Sequence, residues 1–212
     1  MLQFSPTYQY LQKELVYMFP FLKANSYMIT KMMVNQLGMT IFGLVLAMAT
    51  SQNEMLLLLT SIFSILFYMF LLYTMSWETG ISDKIRVDAG RMAAKPNKFF
   101  LLSFVANILN LLLGILAVFG YILIDKSTEI WLTPEWAVNL YSVCNAIARF
   151  IQAMYLGIVQ YFTPNNPISL VLIVFPAIAV CGFGYMLGLR GYSLRNIFGI
   201  KSAAPKKSPN NK

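Results

Sequence analysis

The apolar positions of the chain fall into long, nearly unbroken runs separated by short polar segments. Runs at about 32–49, 55–75, 99–124 and 168–189 approach or exceed the roughly 20 residues that cross the hydrocarbon core of a bilayer as an α-helix. The second is the plainest: it carries LLLL and FSILFYMFLLY, and Tyr73 and Trp77 lie where an interfacial aromatic belt would sit. The first is less apolar, with Asn35, Gln36 and Thr40 inside it, and Ser51-Gln52-Asn53 turns it into the second. Pro176 in the last run predicts a kink.

Residues 136–162 read differently. Thr133-Pro134-Glu135 is a helix start. Asn139, Ser142, Asn145, Arg149, Gln152 and Gln160 then fall near one stripe at a period of 3.6. Thr163-Pro164-Asn165-Asn166-Pro167 ends the helix. The segment is long enough to cross a bilayer, but an arginine near its centre costs about 2.5–3.5 kcal/mol on insertion scales.

Charge decides between four and five spans. With four, one side of the membrane holds Lys13, Lys23, Lys31, Lys84, Arg86, Arg91, Lys95, Lys98, Arg190, Arg195, Lys201, Lys206, Lys207 and Lys212, and the other holds Lys126. With five, the six basic residues of the tail change sides and the asymmetry vanishes. Cytoplasmic loops carry the excess of Lys and Arg. The pattern therefore predicts an all-α integral membrane protein with four transmembrane helices, both termini cytoplasmic, and a long amphipathic interfacial or re-entrant helix at 136–162.

The flanks complete the layout. Tyr8, Leu11, Leu15, Met18 and Phe19 recur at helical spacing after Ser5-Pro6. They predict an amphipathic arm over 1–31, with Pro20 ending or kinking its helix. No cleavable signal peptide is expected in the first 25 residues, which carry Lys13, Glu14 and Lys23. The membrane domain then covers 32–189, with a cytoplasmic loop at 76–98, and a basic tail covers 190–212, its end of disordered composition. Compact loops point to a bacterial cytoplasmic membrane.

Composition narrows the chemistry. The 212 residues are 58% hydrophobic and only 11% charged, with a net charge of +8. The excess gathers beside apolar runs, which is topology rather than a nucleic-acid footprint. Cys144 and Cys181 are too few for a disulfide framework or a Cys-based metal site, and histidine is absent. No Gly-x-Ser-x-Gly, His-Glu-x-x-His, P-loop or paired intramembrane carboxylate occurs. The expectation is a protein that is not an enzyme and takes no cofactor.

Three groups of residues remain as candidates. Gln36, Asn107, Asn110 and Arg149 could line a polar intramembrane cavity for a small solute or lipid, with Glu54 or Asp125 as an acid for Arg149. Ser103, Asn107, Asn110, Gly114, Ala117 and Tyr121 share a face of the third run, although such faces more often pack helices. The segment WETGISDKIRVDAGR offers Asp83, Lys84, Arg86, Asp88 and Arg91 as a surface for a partner or for anionic lipid, with Ser82 capping a separate helix and Asp88 pairing with Lys84 or Arg91. Gly184-x-x-x-Gly188 is a small-xxx-small motif for packing within the bundle or against a second copy. The expected role is an accessory or scaffold subunit docking a cytoplasmic or membrane protein through 76–98. A transporter component with the polar cavity is the alternative.

Overall fold

The computed structural model describes residues 18–125 and 134–192. The arm pattern on 1–17, the loop 126–133 and the tail beyond 192 lie outside the described residues. Among the described residues every element is helical: α1 Ser26–Thr50, α2 Glu54–Asp88, α3 Lys98–Ala106, α4 Ile108–Asp125, α5 Glu135–Ile151, a 3-10 turn Ala153–Tyr155, α6 Leu156–Phe162, α7 Ile168–Leu172 and α8 Val174–Arg190. Residues 18–24 are helical ahead of α1, and Pro20 lies within them rather than ending them. Three helices are long and apolar enough to cross a membrane: Ser26–Thr50, Glu54–Asp88 and Ile168–Arg190, the last counting α7 and α8 together. Two bent pairs raise the number to five if each is one span.

The first correction concerns α2. Instead of a span followed by a separate helix capped at Ser82, one helix of 35 residues runs from Glu54 to Asp88. Asn53 starts it, accepting the N–H groups of Met55 at 3.0 Å and Leu56 at 3.2 Å. In its polar part Ser76, Thr79 and Ser82 each return a hydroxyl to the carbonyl of Tyr73, Met75 or Glu78, so these side chains are satisfied within the helix and do not interrupt it. Asp83, not Asp88, forms the ion pairs of this segment, with Arg86 and Lys98. The helix is roughly 52 Å long at 1.5 Å per residue, well beyond a hydrocarbon core of about 30 Å.

The third run is not straight. α3 and α4 meet at Asn107 with a bend of 57°. The Asn107 amide donates back to the carbonyl of Ser103 at 3.0 Å and accepts from Asn110 at 3.2 Å, which places a side chain in the helical ladder where kinks form. Residues 136–162 are likewise not one helix, because α5 and α6 meet at 84° across Gln152 and the 3-10 turn. The last run is interrupted at Ile173. Pro176 accounts for this, since it has no N–H to give the carbonyl four residues earlier.

α2 and α8 form the closest pair. A Cβ on Gly80 would strike the carbonyl of Tyr185, and one on Gly188 the carbonyl of Trp77. Gly184 rests on Ser76 and Tyr73. The small residues thus seat α8 within the bundle, where backbone contact replaces side-chain packing. α8 ends in a Schellman motif. Gly191 adopts φ +78°, Tyr192 N–H donates to Leu187 at 3.0 Å and Gly191 N–H to Gly188 at 2.9 Å. Trp77 Nε1 donates to the Tyr192 carbonyl at 2.7 Å and ties that end back to α2.

The polarity is inverted relative to a water-soluble bundle. Gln36, Thr40, Ser61, Ser64, Ser103, Asn107, Asn110 and Gln152 are buried, while Leu37, Ile41, Val45, Leu59, Leu66, Phe70, Leu112 and Phe119 face outward. Such a surface is compatible with a membrane location. Substituting Gly188→Leu is expected to force α2 and α8 apart and to lower stability by about 1–3 kcal/mol or more. Gly38→Leu, where nothing lies within 4 Å, is expected to be neutral. Thermal unfolding of both variants in one detergent checks this.

Candidate functional site

Of the candidate residues for a polar cavity, Gln36, Asn107 and Asn110 are buried. Gln36 sits on α1, and Asn107 and Asn110 satisfy each other at the α3–α4 bend. Arg149 lies on α5, donating to Asn145 at 3.2 Å and to the Pro164 carbonyl at 2.7 Å. Glu54 lies beside Gly157, Gln160 and Tyr161 in a separate small cavity, and the Asp125 side chain is outside the described residues. None of the four cavities described includes Gln36, Asn107, Asn110 or Arg149 in its wall.

The polar chemistry instead concentrates at the end of the bundle where α2 and α8 finish and α3 begins. Asp83, one turn before the end of α2, is only 2% exposed. Its Oδ2 accepts from Lys98 Nζ at 2.8 Å and from the Tyr185 hydroxyl at 2.9 Å. Arg86 stands 3.6 Å from Oδ1 with its own side chain 64% exposed. Phe99 stacks on Tyr185 with ring centres 4.7 Å apart, and Lys98 lies 6.0 Å from the Tyr185 ring. One carboxylate thereby joins α2, the first residue of α3, and α8. A buried carboxylate is tolerated only when partners of this kind surround it.

Two cavities share Lys98 in their walls. One, of about 360 Å³, is lined by Asn25, Lys31, Glu78, Thr79, Ser82, Asp83, Arg86 and Lys98, with Met28 and Met75 at its base. The other, of about 480 Å³, lies between helical residues 18–24 and the start of α3. Met18, Phe21 and Leu101 form its apolar wall, and Lys95, Pro96, Asn97 and Lys98 its polar one.

Of the docking candidates, Asp83 is buried, and the Lys84 amine packs against Gly191 at the end of α8. That position suits a cation facing a helix C-terminus. Arg86, Asp88 and Arg91 are exposed, as is Ile85. Gly184 and Gly188 face α2. Lys98 and Tyr185, the partners of Asp83, escape sequence reasoning: Lys98 reads as one more topology charge and Tyr185 as an ordinary aromatic. The only signal for them is Asp83 itself, an acid at a position whose helical neighbours Thr79 and Gly80 are small.

Removing the carboxylate with Asp83→Ala is expected to cost about 3–5 kcal/mol by stranding Lys98. Tyr185→Phe is expected to cost about 1.5–3 kcal/mol, the range for a hydrogen bond to a charged group. The pair Asp83→Leu with Lys98→Met is expected to recover most of the loss. Denaturation in mixed micelles reads all three, and a double variant as unstable as Asp83→Ala would contradict the assignment.

Comparison with protein-family models, curated proteins and solved structures finds no match, so the functional reading rests on the chain's own residues.

Proposed function

We propose that the chain is a four-span membrane protein with both termini cytoplasmic, in a bacterial cytoplasmic membrane. Its role is that of a non-enzymatic accessory or scaffold subunit docking a protein partner through the end of α2 and the loop after it. The observation that carries this reading is the fixed projection of α2. Its last turns are held to α3 and α8 through Asp83, Lys98 and Tyr185, while Ile85, Arg86, Asp88 and Arg91 stay exposed just beyond. An exposed isoleucine beside Arg86 and one turn from Asp88, on a helix already immobilised, loses little conformational freedom on binding. Arg is also a residue enriched at interface cores.

The four-span count is supported by the path of α5 and α6. Thr40 Oγ1 donates to the Ile151 carbonyl, and Met154 packs on Gly43. Gly157 N–H then donates to Ser61 Oγ at 2.8 Å, and Gln160 lies beside Glu54. The contacts run from the middle of α1 back toward the Thr50–Glu54 turn. With a rise of 1.5 Å per residue, the bend lies on the order of 10–15 Å in from that turn. In the proposed topology the pair enters and returns on one side as a re-entrant segment, a path that these contacts and the 84° bend support.

Affinity purification of a tagged chain in mild detergent tests the role. A stoichiometric protein partner is expected, reduced at least tenfold by Arg86→Ala with Arg91→Ala and by Ile85→Ser. A partner retained by all these variants, or a chain that purifies alone, would count against docking through this tip. For topology, a C-terminal tag is expected to be protected in intact cells and exposed in inverted vesicles. The reverse pattern would replace four spans with five.

A further inference from the structure

We infer that the cavity between helical residues 18–24 and the start of α3 is a binding site for a net-anionic diacyl phospholipid of the adjoining leaflet. The inference rests on the membrane-spanning reading but not on the docking of a protein partner. Its basis is the cavity's two-sided chemistry. Met18, Phe21 and Leu101 supply an apolar wall, and Lys95, Asn97 and Lys98 supply donors and positive charge, with no acid among the described residues of the lining. The neighbouring cavity, by contrast, mixes the acids Glu78 and Asp83 with Lys31, Arg86 and Lys98, and Asp83 already engages Arg86 and Lys98. Lys95 stands 5.6 Å from the centre of the Phe21 ring, so its ammonium group is held over an aromatic face at the cavity rim.

The site also lies at the level where headgroups belong. Along α3 the charged residue Lys98 gives way within one turn to Leu101, 38% exposed, and then to Phe104, also exposed. Phe19, beside Met18, is exposed as well. An amphiphile entering from the lipid side would pass its acyl chain along Leu101 and Phe21 and bring its phosphate to Lys95 and Asn97. Lys98 is already paired with Asp83, so among the described residues Lys95 is the lining cation without an acid partner, and it sets the preference for an anionic headgroup. The volume of about 480 Å³ admits a headgroup with the first part of a chain, the size range of ordinary ligand pockets.

The full chain is reconstituted in nanodiscs containing phosphatidylcholine and phosphatidylglycerol, released into mild detergent, and its retained lipids are identified by native mass spectrometry. Phosphatidylglycerol is expected to be enriched over phosphatidylcholine relative to the disc. Lys95→Gln is expected to reduce that enrichment about fivefold, the factor for about 1 kcal/mol per basic residue at an anionic surface. Leu101→Trp, which fills the cavity and leaves its charge unchanged, is expected to abolish retention of both lipids. Unchanged enrichment in Lys95→Gln, or equal retention of the two lipids by the unaltered chain, would overturn the site. A chain that fails to enter nanodiscs at all would overturn the membrane-spanning reading instead, so the two failures are distinct.

Discussion

A carboxylate buried at the junction of three helices constrains everything around it. Asp83 satisfies one oxygen with Lys98 and Tyr185 together, and both partners must therefore reach the same point on α2. Tyr185 can do so only if α8 lies against α2 at backbone distance, which Gly80, Gly184 and Gly188 permit. Lys98 can do so only if α3 begins beside the end of α2, which fixes where the connection 89–97 must return. Gly90, with φ +70° just past the end of α2, supplies the left-handed residue for that return. The close α2–α8 packing and the polar network are thus two consequences of one placement, and neither geometry is available without the other.

This constraint also divides the molecule. At the Asp83 end, contacts are charged, directional and centred on one atom group. Toward the Asn53 turn they are small-residue packing and single hydrogen bonds: Gly157 on Ser61, Met154 on Gly43, Thr40 on the Ile151 carbonyl. On the membrane-spanning reading no hydrophobic force presses the helices together, and close approach and interhelical hydrogen bonds hold the assembly. The buried serines and threonines and the outward leucines and phenylalanines follow from that. So does the absence of Gln36, Asn107 and Asn110 from the walls of the cavities described, since the two asparagines meet each other at the α3–α4 bend.

The apolar runs were legible because a long stretch of apolar residues has few alternatives to a helix, and the turn at Asn53 because its side chain is a helix cap. The bends were not legible. Asn107 and Gln152 are polar residues within helical patterns, and periodicity cannot tell an amide that faces a neighbour from one that turns into its own ladder. The continuity of α2 was missed for a related reason: Ser82 reads as the cap of a separate helix, yet its hydroxyl, like those of Ser76 and Thr79, finds a carbonyl of its own helix. Asp83 was visible as a charge, but a single sequence does not show that residues 15 and 102 positions away arrive beside it.

Arg149 shows how the fold handles a charge close to the 84° bend between α5 and α6. On the four-span reading it lies one turn before the bend at Gln152, where a guanidinium in hydrocarbon would be costly. Its side chain instead reaches across to the Pro164 carbonyl, in the turn that precedes α7, with Asn145 one turn back as a second acceptor. A proline carbonyl is a suitable partner. In the turn Thr163–Pro167 the carbonyls of Thr163, Asn166 and Pro167 accept local donors, while that of Pro164 takes the guanidinium, and the long apolar stem of arginine spans the gap along α5. The same contact ties α5 to the turn beyond α6, so the residue whose charge argues against a straight span also fixes the two arms of the 84° bend relative to each other.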